Sequence, residues 1–316
     1  MKMCLGLLTL LVCGQFSAAQ ELLYSFPNEK FDGKVLPQRI NFVRFSDDSV
    51  FLAAWGNYKI TLIETKTGKV LWSKPNPKPW NDGCFSPDNK HLALTEKFDA
   101  FGVFETNNGR QLRVIEVEGL WQAKYFGQYL AVTSCEHKEV MVLDSLNEFK
   151  EIFKVKDNRF YSPELSGLNV KDGKVNGLVI GGGIFTIDQG SLKCTEKFDQ
   201  KIWAYNHKTD RLLISDGDLW TGGNNWQVKT ITKKEKLGTF SFKVGFDSFW
   251  CFSPDGQLIA LGGTTVETRI YQATSGKMVF SIPPEKDRKV TALAISADGK
   301  LAIGSTSGVK IYAIKK

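Results

Sequence analysis

Histidine is scarce in this 316-residue chain: His91, His137 and His207 are all there are, and they fall in three separate stretches. No second histidine or carboxylate recurs beside them at metal-ligand spacing, so no metal site is expected. The sequence has no Gly-x-Ser-x-Gly elbow, no HExxH pair and no phosphate loop with Lys-Ser/Thr behind its glycines. Those absences remove the common hydrolase, metalloprotease and nucleotide-binding signatures. The triple glycine at 181–183, inside "LVIGGGIFT", lies between two strand-like runs and reads as a bend or bulge. Cysteine is sparse too. Beyond the first thirteen residues only Cys84, Cys135, Cys194 and Cys251 remain, and a domain this long needs no covalent staples. Cys84 and Cys251 hold equivalent places in separated repeats and read as small buried hydrophobes, while a Cys135–Cys194 bond is the alternative use of the other two. After residue 20 no apolar run is long enough to span a bilayer, so no membrane span is expected. Helical periodicity is missing as well, which excludes a parallel sheet with crossover helices.

What the chain does have begins at its first residues. "MKMCLGLLTLLVCGQFSAAQ" places Lys2 before an apolar run and Ser17-Ala18-Ala19 behind it, the pattern of a cleavable export signal. Residues 1–19 are therefore expected to be removed, leaving 20–316 as a secreted or periplasmic chain. Lipid attachment at Cys13 is disfavoured, because Val12 stands where a small residue is needed. Removing the leader takes the formal charge from +7 to +6. The densest basic run, Lys233–Lys236, is interrupted by Glu235 and reads as a solvated loop. No nucleic-acid partner is expected, and anionic envelope polymers suit the charge better. No Asn-x-Ser/Thr acceptor occurs.

A hexapeptide occurs twice, as "CFSPDN" from Cys84 and "CFSPDG" from Cys251. Weaker marks at Phe45, Tyr125, Val170, Tyr205 and Ile295 complete a series of seven with a mean spacing of about 42 residues, inside the range of propeller repeats. Each mark sits between two short apolar runs, as in "INFVRFSDDSVFLAAW", which predicts strand, tight turn, strand. Asp with Gly or Asn at the tip supplies positive backbone torsions at little steric cost. A second hairpin follows in most repeats, for example "KITLIETKTGKVLW" (Lys59–Trp72) and "TRIYQATSGKMVFSI" (Thr268–Ile282). Four short antiparallel strands per repeat are the result, and units of this kind are stable when stacked face to face around an axis.

The last repeat stops after its third strand, "VKIYAIKK", whereas the expected mature chain opens on an orphan strand, "ELLYSFP" (Glu21–Pro27). That orphan matches "KMVFSIP" (Lys277–Pro283), the fourth strand of the sixth repeat. The sequence therefore predicts an all-β, seven-bladed β-propeller over 20–316, closed by the N-terminal strand joining the last blade, which leaves no exposed edge there. "FSPDG" with the apolar strand behind it, in Phe252–Ala260, and the (D/E)xxTGK turn of the first repeat, "ETKTGK" (Glu64–Lys69), together resemble the WD-repeat propeller family. The Trp-Asp and Gly-His pairs of that family are missing, so the resemblance is to degenerate blades. "ETKTGKVLW" is also similar to the tryptophan-docking repeat of quinoprotein propellers, but only one repeat carries it, and no cofactor is expected.

Candidate binding residues are aromatic. "SDGDLWTGGNNW" (Ser215–Trp226) departs from the regular pattern and sets Trp220 and Trp226 among flexible polar residues, a composition suited to protein or sugar recognition. Its Asp216 and Asp218 lack the downstream bidentate Glu of a calcium loop. Trp55, Trp80 and Trp121 fall near strand ends, and His137 lies in a turn between strands. The expectation is a monomeric, non-enzymatic scaffold that offers one face of loops to a protein or glycan partner. The alternative is a hydrolase- or quinoprotein-like propeller enzyme with residues such as Glu136, His137, Asp216 and Asp218 converging on a central channel.

Overall fold

The computed structural model describes residues 21–27, 39–75, 80–96, 98–126, 128–134, 136–157, 165–171, 174–180, 183–188, 191–197, 201–206, 208–216, 225–243, 248–263, 266–285 and 289–314. The leader expected at 1–19 lies outside them. The described residues form strands and connecting turns with no helix, as the all-β reading expects.

β1 (Glu21–Pro27) precedes a first sheet of β2 (Ile40–Phe45), β3 (Phe51–Gly56), β4 (Lys59–Glu64) and β5 (Val70–Pro75). The second sheet has seven strands: β6 (Trp80–Phe85), β7 (His91–Glu96), β8 (Phe98–Glu105), β9 (Gln111–Phe126), β10 (Tyr129–Ser134), β11 (Glu139–Asp144) and β12 (Lys150–Lys156). The third comprises β13 (Leu165–Lys171), β14 (Lys174–Ile180), β15 (Gly183–Asp188) and β16 (Ser191–Lys197). The fourth comprises β17 (Lys201–Asn206), β18 (Arg211–Ser215), β19 (Asn225–Thr230) and β20 (Lys236–Ser241). The fifth comprises β21 (Ser248–Phe252), β22 (Leu258–Gly263), β23 (Thr268–Gln272) and β24 (Met278–Ile282). The sixth joins β25 (Val290–Ile295), β26 (Lys300–Ser305) and β27 (Gly308–Ala313) to β1, the outermost strand.

All pairings are between antiparallel neighbours, and β1 aligns on β27 from Glu21 opposite Ala313 to Pro27 opposite Gly308. β9 explains the seven-stranded sheet. Its first part, Gln111–Glu116, pairs with β8 and its second, Leu120–Phe126, with β10. Gly119 between them has φ +67°, and a Cβ there would collide with Glu136. First strands carry the contacts between sheets. β2 touches β25 and β6; β13 touches β9 and β17; β17 touches β21, and β21 touches β25. Second strands are sandwiched by these contacts, so β22 is buried throughout while the outer β5 alternates with solvent.

The hairpin tips share one chemistry. In the tips after β2, β6, β21 and β25 a serine hydroxyl donates to the aspartate two residues on: Ser46 to Asp48 and Ser86 to Asp88 at 2.6 Å, Ser253 to Asp255 and Ser296 to Asp298 at 2.5 Å. The same hydroxyl accepts the amide that starts the next strand, as from Phe51 at 2.9 Å and Leu258 at 2.9 Å. Ser49, Asn89, Gly256 and Gly299 take the left-handed position, with φ from +57° to +84°. The polar groups of the repeated hexapeptide thus satisfy the turn itself.

Outer hairpins repeat a second device. Gly68, Gly109 and Gly276 have φ near +70° and donate their amides back to Glu64, Glu105 and Gln272. The neighbouring sheet presses against two of these turns with an aromatic from its outer strand: Tyr24 Oη donates to Lys66 O at 2.6 Å and Trp72 Nε1 to Thr106 O at 2.8 Å. Tips also touch one another, with Asn89 Oδ1 accepting from Asp47 N, Ser49 Oγ from Ala297 N, and Asn206 Nδ2 donating to Ser253 O. Adjacent sheets therefore point their first hairpins the same way. One end of the stack, here the tip end, carries these turns, and the opposite loop end carries the second-to-third strand turns and the crossings between sheets.

Candidate functional site

Strand polarity sends the expected binding residues to the loop end. Trp55 sits one residue before the end of β3, Trp80 opens β6, Trp121 follows the bend in β9, His137 lies between β10 and β11, and Trp226 is second in β19. Trp220 and Asp218 lie outside the described residues, as do Cys135, His207 and glycines 181 and 182.

Burial changes the roles of two of them. Trp55 and Trp226 are 0% exposed, so neither offers a surface. Trp55 stacks on Phe42 at 5.5 Å between β2 and β3. The expectation of an exposed Trp226 is corrected by its surroundings. Trp226 lies 5.3 Å from Trp203 and parallel to Phe240 at 6.4 Å, and Phe240 stacks on Tyr271 of the fifth sheet at 4.2 Å. Trp250 closes the group, its ring edge on Trp203 at 4.6 Å. Each indole N–H in this aromatic wall has a partner: Trp203 donates to Ser215 Oγ at 2.7 Å, Trp250 to Trp203 O at 2.7 Å, and Trp226 to Phe242 O at 2.9 Å.

The last bond places a groove. Phe242 follows β20 directly, and Tyr271 Oη donates to the preceding carbonyl, Ser241 O, at 3.3 Å. With both carbonyls held, residues 241–243 form one wall of an open groove of about 560 Å³, whose other walls are Val266, Glu267, Arg269 and Pro284. Its size is that of a specific ligand site. The Arg269 guanidinium lies over the Phe242 ring at 5.7 Å and is paired with Glu267. A separate, smaller cavity of about 30 Å³ also borders Val266 and Pro284 and is lined by Glu285, after β24, and by Lys310 and Tyr312 of the sixth sheet, with Lys310 Nζ 2.6 Å from Glu285. No signal short of the packed structure unites these residues, since they come from three sheets.

Of the residues expected to converge in the alternative reading, Glu136 and His137 belong to the second sheet and Asp216 to the fourth, while Asp218 lies outside the described residues. His137 Nε2 lies 3.2 Å from Glu118 in the second sheet, and Ser134 Oγ fixes that turn by accepting His137 N and donating to Glu118 O. Asp216 accepts from Asn225 in the fourth sheet. On the first strands, Arg44 lies 3.4 Å from the buried Asp82. Cys84 and Cys251 are free thiols; Cys251 is buried, as its reading expects, whereas Cys84 is half-buried. Burial pushes both up to about 12, with Asp82 adding to the effect at Cys84. Thiols held neutral in this way are poor nucleophiles. Cys194 is half-buried, and its suggested partner Cys135 is outside the described residues. Among the described residues no group of three or more metal-binding side chains occurs, and no helix is long and apolar enough to cross a membrane. No protein-family model matches the chain, and a search of curated proteins gave no match.

Proposed function

We propose that the chain is an exported, WD-repeat-like, seven-bladed β-propeller that binds a protein or glycan partner through its loop end and performs no chemistry of its own. Counting β9 as the outer strand of one blade and the inner strand of the next divides the second sheet into two blades. The contacts of first strands, which run from sheet to sheet and return from β25 to β2, support a closed ring, with β1 completing the last blade. Removal of residues 1–19 delivers β1 almost at the new N-terminus, which fits an exported chain.

The observation that carries the binding role is the difference between the two ends. At the tip end serine, aspartate and turn amides are consumed by one another, whereas the loop end holds a groove with cationic, acidic and apolar walls. Rigid scaffolds place recognition on connections of this second kind. The test is capture from envelope and extracellular extracts by immobilised residues 20–316. Retention of a partner that Lys243→Glu abolishes and Lys208→Glu, at the tip end, leaves intact is the expected result. Turnover in a substrate screen with no retained partner overturns the reading.

A further inference from the structure

We infer that the loop-end groove takes an extended peptide segment whose carboxylates meet Lys243 and Arg269 while its apolar side chains lie on Val266 and Pro284, an inference that rests on the binding role proposed above. Charge is the first argument. The groove and the separate cavity beside it are lined by Lys243, Arg269 and Lys310 against Glu267 and Glu285. Both carboxylates are already engaged, Glu267 by Arg269 and Glu285 by Lys310. Lys243 is exposed and has no ion-pair partner among the described residues, so the surplus charge of the groove is positive. The +6 charge of residues 20–316 adds long-range attraction for an anion of any shape.

Shape and surface decide which anion. A sugar ring docks on the open face of an aromatic side chain, but Phe242 is buried and Arg269 covers its ring. What the groove offers instead is aliphatic, from Val266 and Pro284, next to a guanidinium fixed by both a ring and a carboxylate. Such a guanidinium loses little freedom when it forks onto a second carboxylate. The groove is open and lies between residues 241–243, after the fourth sheet, and Val266, Glu267 and Arg269 of the fifth, a form suited to a strand-like chain with charged and apolar side chains in alternation.

Fluorescence anisotropy with a fluorescein-labelled octapeptide of alternating glutamate and leucine tests this on residues 20–316. Binding that weakens as salt rises is expected, with at least a tenfold loss in Lys243→Glu, near-complete rescue in Lys243→Arg, and no more than a twofold change in Lys208→Glu. Glu267→Gln releases Arg269 from its internal partner and is expected to tighten binding threefold or more. That gain cannot come from misfolding. Equal binding of an alternating lysine-leucine peptide, an unchanged affinity in Lys243→Glu, or binding of an oligouronide in place of the peptide would overturn the inference. Extract capture that persists in any of those cases leaves the loop-end role standing and rejects only the peptide.

Discussion

Lys208 Nζ lies 2.6 Å from Asp47 Oδ2, although 161 residues separate them. Asp47 belongs to the tip of the first sheet and Lys208 to that of the fourth, so the pair ties together sheets whose first strands share no substantial contact. Both side chains are about half exposed, and ion pairs of that kind contribute roughly 0–1 kcal/mol. A double-mutant cycle with Asp47→Asn and Lys208→Met, read by urea denaturation, is expected to give a coupling within that range that vanishes in 1 M salt. A coupling of several kcal/mol would show that the bridge is far less solvated than its exposure indicates.

Two glycines separate backbone strain from crowding. Gly299 has φ +84° and an added Cβ would meet only Ile314 O at 3.6 Å, whereas at Gly276, φ +69°, it would lie 2.1 Å from Thr239 O in the neighbouring sheet. Gly299→Ala is expected to cost about 1–2 kcal/mol for the left-handed torsion alone. Gly276→Ala adds a backbone collision and should cost at least about twice as much. Equal denaturation midpoints for the two variants would contradict the packing of β20 against that turn.

Acid sensitivity has a local source at Glu105. The Arg110 side chain, aided by Asn108, holds its carboxyl down at about 2, against an ordinary value of 4.5. A carboxyl depressed in the folded state stabilises above its unfolded value, and that contribution is lost as pH falls through the folded one. Glu105→Gln should therefore flatten the fall in melting temperature between pH 4.5 and pH 2. An unchanged slope in that window would show that the turn is open in solution.

Cys84 and Cys251, with folded values of about 12, should carry thiolate fractions on the order of 1 in 10,000 at pH 8. Mass spectrometry after brief iodoacetamide treatment is expected to find both unmodified in the native chain and fully modified in urea. Native labelling at either position would mean that the first strands are accessible.

Trp226→Phe keeps a ring in the aromatic wall and removes the N–H that Phe242 O accepts. A buried carbonyl left without its donor costs about 1–3 kcal/mol, and residues 241–243 lose an anchor. Lower stability together with weaker capture at the loop end is expected. A stability loss with unaltered capture would separate the aromatic wall from the groove.

Strand content and turn positions are legible in the sequence because they depend on neighbours: Asp-Gly tips and short alternating runs specify hairpins locally. The pairing of β1 with β27 is legible for another reason, since "ELLYSFP" and "KMVFSIP" carry the same alternation at the two outer strands. β9 is less so. Between Gln111 and Phe126 only Gly119 marks a break, and one left-handed glycine redirects the strand without ending it. The polar, glycine-rich approach to Trp226 points to the surface, yet inside "NWQVKT" it alternates with Val228, and both side chains are 0% exposed. The period of two outweighs the composition of the preceding loop. The groove has no sequence signature, because Phe242, Arg269 and Pro284 are brought together by packing between sheets.

Pairing of β1 with β27 is the contact on which the proposed ring depends. Glu21 and Ala313 face each other across β1 and β27, so Glu21→Cys with Ala313→Cys should form a disulfide under mild oxidation of the folded chain, identified as a linked peptide after proteolysis. Efficient linkage, with a melting temperature that drops on reduction, is the predicted result. Two cysteines that stay free in the folded protein and react with each other only after denaturation would contradict the account.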